Sequence, residues 1–310
     1  MYLDHFGLHS LPFQITPDTD FLFLSTRIQE SMNVVLVALT TGEVFVKVTG
    51  EVGTGKTLLC RQLLATLDKM AFVTCYILNP LMGPLDAYSA LADELGLTPY
   101  AESEGLQSFI KRINGHLLTL HGEGKRVVLF VDEAQTLSDE TLEAIRLMTN
   151  LETQKQKILQ VVLLGQSELD VRLNTQHNLR QLRQRISFSS VIQPLNAEET
   201  ERYIIHRLQV AGGQGRELIT HRACQQIFRY SQGIPRLVNV LSHKALLAAF
   251  GLGDRQVWPS HVILAARDTE SIGLSAPWRF WLGLDPRSWR VIGSSLLLFI
   301  LAVAYWRFYR

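Results

Sequence analysis

The segment Gly50-Glu-Val-Gly-Thr-Gly-Lys-Thr57 constrains the fold of this chain more than any other feature of the sequence. It matches the pattern G-x-x-x-x-G-K-[ST] in full, follows the β-branched run Val44–Thr49, and precedes a helical pattern that continues through Leu67. A glycine-rich loop between a strand and a helix lets backbone N–H groups and the helix N-terminus face a phosphate. The sequence therefore predicts a P-loop on a parallel α/β sheet.

This loop assigns a nucleoside triphosphate site to named residues. We expect Lys56 to reach the β- and γ-phosphate oxygens and Thr57 to hold Mg²⁺. The alternative is a structural glycine-rich turn, which the flanking strand and helix disfavour. The residues predicted to bind the nucleotide here are Gly50, Glu51, Val52, Gly53, Thr54, Gly55, Lys56, Thr57 and Leu58.

A second motif follows the fully apolar run Val127–Val131, which reads as a central, buried strand. Asp132 and Glu133 come directly after it, at the edge where α/β sheets bind ligands. We expect Asp132 to contact the Mg²⁺ shell and Glu133 to act as the general base toward water. An ordinary strand that ends in acidic loop residues is the alternative for this pair alone. Since the sequence has no N-K-x-D guanine-binding motif, ATP is favoured over GTP.

Strand and helix patterns alternate up to residue 193 and then become entirely helical. Further strands are predicted at Phe72–Leu78, Val127–Val131, Ile158–Leu164 and Ile186–Val191, and helices at Leu85–Leu95, Leu106–His121, Ser138–Leu151 and Glu168–Arg183. Alternation of this kind is typical of a parallel sheet with helices on both faces. The predicted organisation is an N-terminal segment (1–43), a nucleotide-binding α/β core (44–196), an all-helical lid (197–268), a linker (269–290) and a membrane-spanning helix (291–307).

Composition limits the other classes of function. The net charge of +1 gives no strong field toward nucleic acid, so DNA binding is disfavoured. Cys60, Cys75 and Cys224 are far apart and show no metal-ligand spacing, which predicts free, buried thiols in a reducing compartment.

The predicted anchor begins with Val291–Trp306, sixteen residues without a charge. A helix of that length spans about 24 Å, somewhat less than a hydrocarbon core of about 30 Å. Arginine and aromatic residues flank both ends and suit the two interfaces; a buried core helix or an interfacial helix is the alternative. Because ATP and Mg²⁺ are cytosolic, we expect a single-pass membrane protein with residues 1–290 in the cytoplasm.

With these residues placed, the chain resembles the AAA+ ATPases, and among them the ExeA-type general secretion pathway protein A family and its shorter MshM-type, MSHA-pilus biogenesis relatives. The resemblance covers nearly the whole chain. It rests on the order and spacing of Phe6-Gly-Leu, Pro12-Phe13, Pro17-Asp18, Thr49–Thr57, Val131-Asp-Glu-Ala-Gln135, Leu164-Gly-Gln-Ser-Glu-Leu169, Leu182-Arg-Gln-Arg-Ile186 and Gly233-Ile-Pro-Arg236. The longer family members continue into a periplasmic peptidoglycan-binding domain, which this sequence does not include.

The resemblance implies roles for four more residues. Asn79 looks like the switch that gates Glu133, and Gln166 like the first sensor of the γ-phosphate, a turn-capping glutamine being its alternative. Arg185 resembles the arginine finger that enters a neighbouring subunit's site, with Arg180 and Arg183 as competitors and a solvated helix face as the alternative for all three. Arg236 resembles the second sensor in the lid, an exposed arginine after a turn being its alternative. A cation at a helix N-terminus is unfavourable without an anionic partner, which a phosphate of the bound nucleotide would supply.

The resemblance implies a membrane-anchored ATPase that binds ATP and Mg²⁺, forms a homo-oligomeric ring and works with inner-membrane proteins of pilus assembly or type II secretion. Two alternatives stay open at this point. One is a DNA-handling ATPase of the transposition type, which predicts a basic patch and salt-sensitive DNA binding. The other is a nucleotide-gated scaffold with little turnover.

Overall fold

A five-stranded parallel sheet forms the centre of the protein. The computed structural model describes residues 2–14, 21–67, 72–78, 82–150, 157–213 and 215–269. The strands are β1 (Phe45–Gly50), β2 (Phe72–Ile77), β3 (Arg126–Val131), β4 (Leu159–Gly165) and β5 (Ile186–Ile192). Their spatial order is β2-β3-β4-β1-β5, and all neighbouring pairs are parallel. The predicted parallel α/β core is confirmed.

The continuous apolar runs belong to the interior strands. All seven residues of β4 and five of the six in β3 are buried, because helices cover both faces of the sheet at these strands. In contrast, β5 alternates between partly buried and exposed positions along most of its length, as an edge strand does. The carboxyl ends of β1 and β3, where the two sequence motifs begin, therefore emerge from the interior of the sheet.

In the described part of the chain, seven helices surround the sheet, and a short one precedes them. These are α1 (Leu3–Phe6), α2 (Thr26–Thr41), α3 (Lys56–Leu67), α4 (Pro84–Glu94), α5 (Leu106–Gly122), α6 (Asp139–Met148), α7 (Ser167–Thr175) and α8 (Arg180–Arg185). On one face, α2 and α3 pack apolar side chains against the sheet, and α4, α5 and α6 do so on the other. Serines at the N-caps of α2 and α6 accept backbone N–H bonds and set where those helices begin.

The helical pattern of Glu168–Arg183 forms two helices rather than the single one that we predicted. After α7 the chain is extended at Gln176. The side chain of Asn178 donates a hydrogen bond of 2.8 Å to Asp139 Oδ2, and Leu179 is buried. Asn178 thus bonds to the start of α6 rather than to its own backbone, and this contact was not visible in the sequence pattern. The prediction of one continuous helix was wrong.

A second apolar core lies in the helical region that follows the sheet. Its helices, which we call the lid, are α9 (Ala197–Val210), α10 (His221–Ser231), α11 (Pro235–Leu252) and α12 (Pro259–Arg267), with short 3₁₀ turns at Ala134–Thr136 in the core and Gly215–Glu217 in the lid. The start of the chain completes the lid core with five buried side chains, those of Tyr2, Phe6, Leu8, Phe13 and Phe21. The N-terminal residues thus pack with the lid although α2 packs on the sheet.

The chain consequently crosses between lid and sheet at two places, before α2 and again between β5 and α9. The two crossings touch, since Arg27 Nη1 donates to the carbonyl oxygen of Pro194 at 3.0 Å. Within the lid, the buried guanidinium of Arg207 donates to the carbonyl of Pro12 and, at 2.8 Å, to the hydroxyl of Tyr203. The bond to Pro12 fixes the N-terminal segment to α9.

Two of the predictions concern residues 79 and 270–310, which lie outside the described residues. They are the gating role of Asn79 and the linker and membrane span within 269–307. None of the helices in the described ranges has both the length and the apolar character needed to cross a bilayer. The three cysteines are buried and free, as predicted.

Candidate active site

The glycine-rich loop leaves the carboxyl end of β1 and enters α3, whose first residue is Lys56. The Lys56 side chain is buried at 6% exposure. Its Nζ donates to the carbonyl oxygens of Gly50 at 2.9 Å and Glu51 at 3.0 Å. Burial lowers the pKa of the Lys56 ammonium, while the nearby carboxylates of Glu133 and Asp132 act in the opposite direction. The loop thus encloses a cation next to two acidic groups.

The lid contacts this loop directly at Gly53. This residue has φ of +82°, and a Cβ added to it would lie 2.6 Å from the Cβ of Arg236. The backbone N–H of Arg236, in the first turn of α11, approaches the Gly53 carbonyl oxygen at 3.3 Å. Only a residue without a side chain allows both the backbone conformation and the close approach. The structure therefore brings Arg236 to the edge of the loop.

Asp132 follows β3 and is 97% buried, with 3% of its surface exposed. Its Oδ2 accepts hydrogen bonds from Thr57 Oγ1 at 3.2 Å and from the hydroxyl of Tyr76 at 3.1 Å, and its Oδ1 accepts from the N–H of Glu133 at 2.9 Å. Mg²⁺ prefers oxygen ligands and is held by one or two protein groups plus substrate phosphates. A hydroxyl and a carboxylate in contact beside the loop fit that requirement, so Thr57 and Asp132 are the residues that would hold the ion.

Glu133 is one of two non-glycine residues with positive φ among the described residues, at +52°. This left-handed conformation is uncommon for a glutamate and turns the chain sharply after β3. Its Oε2 accepts a hydrogen bond from Gln135 Nε2 at 2.6 Å and a second from Gln166 Nε2 at 3.1 Å. Gln166 is the N-cap of α7, directly after β4. The structure brings the predicted base and the predicted γ-phosphate sensor into contact.

Arg185 lies far from this loop in its own chain. It ends α8 and precedes β5, whose last residue pairs with Gly50. A strand of this length spans about 20 Å, so Arg185 sits at the amino-terminal end of β5, away from the glycine-rich loop. Its guanidinium donates to Thr149 Oγ1 at 3.0 Å and to Asn150 Oδ1 at 2.7 Å. Its competitors Arg180 and Arg183 are exposed on α8.

Sequence reasoning missed two residues that contact the site. Tyr76 lies in the second strand, and burial together with the Asp132 carboxylate raises the pKa of its phenol. The sequence offers nothing that separates it from other aromatic strand residues. Gln135 stood in the motif Val131–Gln135, two positions after the base, and a polar residue at the end of this run was the available clue.

Comparison with known proteins identifies a matching family and a curated relative. Residues 40–173 match the AAA domain family. The chain is 42% identical, over 279 residues, to General secretion pathway protein A of Aeromonas hydrophila. The alignment includes 90% of this chain and 50% of that protein, so the chain spans about half the length of the curated relative that it matches.

Similar folds occur in solved structures of low sequence identity. Drosophila ORC bound to DNA has a TM-score of 0.64 at 20% identity, covering 84% of this chain and 64% of that one. Cdc6p from Pyrobaculum aerophilum has 0.62 at 17%, covering 87% and 75%. The ORC2 protein of Aeropyrum pernix has 0.60 at 16%, also covering 87% and 75%. At these identities the likeness concerns the fold alone. The chain is therefore similar to General secretion pathway protein A over about half of that protein's length, and its residues 40–173 match the AAA domain family and lie on a parallel α/β sheet.

Proposed function

We propose that this protein binds ATP with Mg²⁺ and hydrolyses it. The observation that carries the proposal is the convergence of four side chains, those of Lys56, Thr57, Asp132 and Glu133, at the carboxyl ends of β1 and β3. Lys56 gives up its hydrogen bonds to the loop carbonyls and donates to the β- and γ-phosphates instead. Glu133 accepts the proton of the attacking water. Mg²⁺, when bound, neutralises charge on the phosphate oxygens.

The test is phosphate release by the purified full chain in detergent, with ATP and with or without Mg²⁺. We expect hydrolysis to require the metal and to fall to the buffer rate in excess EDTA, because without Mg²⁺ the Asp132 carboxylate would face the negative phosphate oxygens with no cation between them. Full restoration on adding Mg²⁺ back controls for unfolding. A protein that binds ATP and Mg²⁺ but releases no phosphate would be the nucleotide-gated scaffold instead.

We further propose that catalysis is shared between copies arranged in a homo-oligomeric ring. The distance of Arg185 from its own loop supports a role as a finger in the neighbouring subunit's site. In this arrangement Gln166 senses the γ-phosphate, Arg236 senses the nucleotide from the lid, and Asn79 gates Glu133. The contact of Arg236 with Gly53 supports the lid role, because the lid then follows any change in the loop.

The cellular role that we propose is assembly of a type II secretion apparatus or of a type IV-like, MSHA-type pilus at a bacterial inner membrane. The homology to General secretion pathway protein A supports the secretion role. The uncharged run within 291–307 supports a single-pass anchor with the ATPase domain in the cytoplasm. Partners would then be membrane-embedded assembly proteins rather than nucleic acid, in keeping with the net charge of +1.

This role predicts that the full chain sediments with inner membranes and resists extraction by high salt but not by detergent. A chain ending at Thr269 is the matched control and should remain in the supernatant, since it lacks the apolar run. Detergent extracts of native membranes, passed over the immobilised full chain, should yield secretion or pilus assembly proteins in an ATP-dependent manner. Recovery of the full chain in the soluble fraction, or salt-sensitive binding to duplex DNA instead, would contradict the proposal.

A further inference from the structure

Gln135 connects the proposed catalytic base to the helix that carries the proposed γ-phosphate sensor. Its Nε2 donates to Glu133 Oε2 at 2.6 Å, and its Oε1 accepts the backbone N–H of Gln166 at 2.9 Å. One amide group thus bridges the turn after β3 and the start of α7. The two bonds determine the orientation of the amide, because a reversed amide would put oxygen against carboxylate and NH₂ against N–H.

The surroundings of Gln135 hold this bridge in place. Arg172, in α7, donates from Nη1 to the carbonyl oxygens of Gln135 at 2.7 Å and Leu137 at 2.8 Å. It also pairs with Asp139 at the start of α6. The backbone of the 3₁₀ turn is therefore tied to α7 independently of the Gln135 side chain. Removing that side chain should leave the turn where it is.

Gly165 provides the space that the Gln135 amide occupies. A Cβ at this last residue of β4 would lie 3.2 Å from Gln135 Oε1 and 2.9 Å from Leu169 Cδ2. The backbone at Gly165 does not have positive φ, so conformational freedom does not explain a glycine here. Close approach of the Gln135 amide and of Leu169 does.

We infer that Gln135 is a positioning residue for ATP hydrolysis, which holds the Glu133 carboxylate in its working orientation and links it to Gln166. The inference rests on the proposed function. Glu133 lies close enough to Lys56 to act on its ammonium electrostatically, so the bridged orientation keeps the carboxylate beside the phosphate-binding lysine. Gln135 contacts neither the glycine-rich loop nor Asp132 through any of the bonds described, and its effect should fall on turnover rather than on nucleotide affinity.

The experiment compares Gln135→Ala and Gln135→Glu with the wild type in the full chain. Misplacing a catalytic group by about 1 Å costs up to about 100-fold in rate, so we expect kcat of Gln135→Ala to fall about 10- to 100-fold. The Kd for ATP should remain within about twofold, since the interactions that bind the substrate are untouched. Gln176→Ala, at an exposed glutamine just after α7, is the matched control and should hydrolyse ATP at the wild-type rate.

Gln135→Glu separates positioning of the base from support of α7. A glutamate keeps the length of the side chain and still accepts the N–H of Gln166, but it places a second carboxylate against Glu133. We expect a loss of kcat at least as large as in Gln135→Ala, again with unchanged affinity. If Gln135→Glu turns over like the wild type, or if Gln135→Ala loses ATP binding instead of turnover, the inference is wrong. Should Gln135→Ala fail to fold, Gln135→Glu decides alone.

The outcome is distinguishable from failure of the proposed function. If the wild-type protein binds ATP but does not hydrolyse it, the proposed function fails before Gln135 is tested. If the wild type hydrolyses ATP and both Gln135 variants do so at the same rate, the ATPase proposal stands and only the positioning role falls.

Discussion

Replacing Lys56 with alanine is expected to abolish detectable ATP binding. The Nζ of this residue makes two hydrogen bonds to loop carbonyls and is buried next to two carboxylates. When ATP is bound, we expect Nζ to exchange both hydrogen bonds for bonds to the phosphates. Losing two charge-assisted bonds of about 1.5–3 kcal/mol each weakens binding by about 10²- to 10⁴-fold. Equilibrium titration with a fluorescent ATP analogue measures the effect.

Lys111→Ala is the matched control, since Lys111 is exposed on α5. It should bind ATP with wild-type affinity. Tight binding by a folded Lys56→Ala protein would remove the nucleotide site from this loop.

The Lys56→Ala protein also tests whether the site is shared between subunits. Mixed with Arg185→Ala, it should recover part of the hydrolysis, because each variant supplies the half of the site that the other lacks. Absence of recovery in mixed oligomers would remove Arg185 as the finger.

Exchanging Glu133 for glutamine should stop turnover while leaving ATP bound. The two side chains have nearly the same shape, and a glutamine oxygen still accepts the amide bonds from Gln135 and Gln166. It cannot, however, take a proton from water. Loss of a general base costs about 10²- to 10⁴-fold in rate. Single-turnover phosphate release and ATP titration on the same preparation give both quantities.

The control for this variant is Glu123→Gln, at an exposed glutamate that precedes β3 and therefore lies at the end of that strand opposite Glu133. We expect wild-type kcat and Kd for it. Hydrolysis by Glu133→Gln at the wild-type rate would mean that another group activates the water. Loss of ATP binding in this variant would instead make Glu133 part of the binding site, and the assignment of a base would then be wrong.

The sheet and the two motifs at its edge could be predicted because their causes are local. Continuous apolar runs mark interior parallel strands, and the loop Gly50–Thr57 fits only between a strand and a helix. Since carboxyl ends of parallel strands share one edge, Asp132 had to emerge near Thr57. Their 3.2 Å contact is the structural counterpart of that argument.

The contacts that the sequence did not reveal depend on backbone detail or on distant packing. The bridge made by Gln135 requires the left-handed conformation of Glu133, which no residue pattern specifies. At the break between α7 and α8, Asn178 bonds to Asp139 across space. Tyr76 lies on β2, and the periodicity of the sequence does not show that β3 is the neighbouring strand. Packing of Tyr2, Phe6, Leu8 and Phe13 into the lid likewise needed knowledge of a surface more than 180 residues away in sequence.

That packing has a mechanical consequence. The first residues belong to the lid while α2 lies on the sheet, so two chain segments connect the lid to the sheet. The hydrogen bond between Arg27 and Pro194 holds these two segments side by side. A body attached at two neighbouring points turns most easily about the line through both and resists swivelling around either. Separation of the lid from the loop at the Gly53–Arg236 contact would then be a rotation about one hinge axis. The same rotation would displace the N-terminal residues, because they pack in the lid.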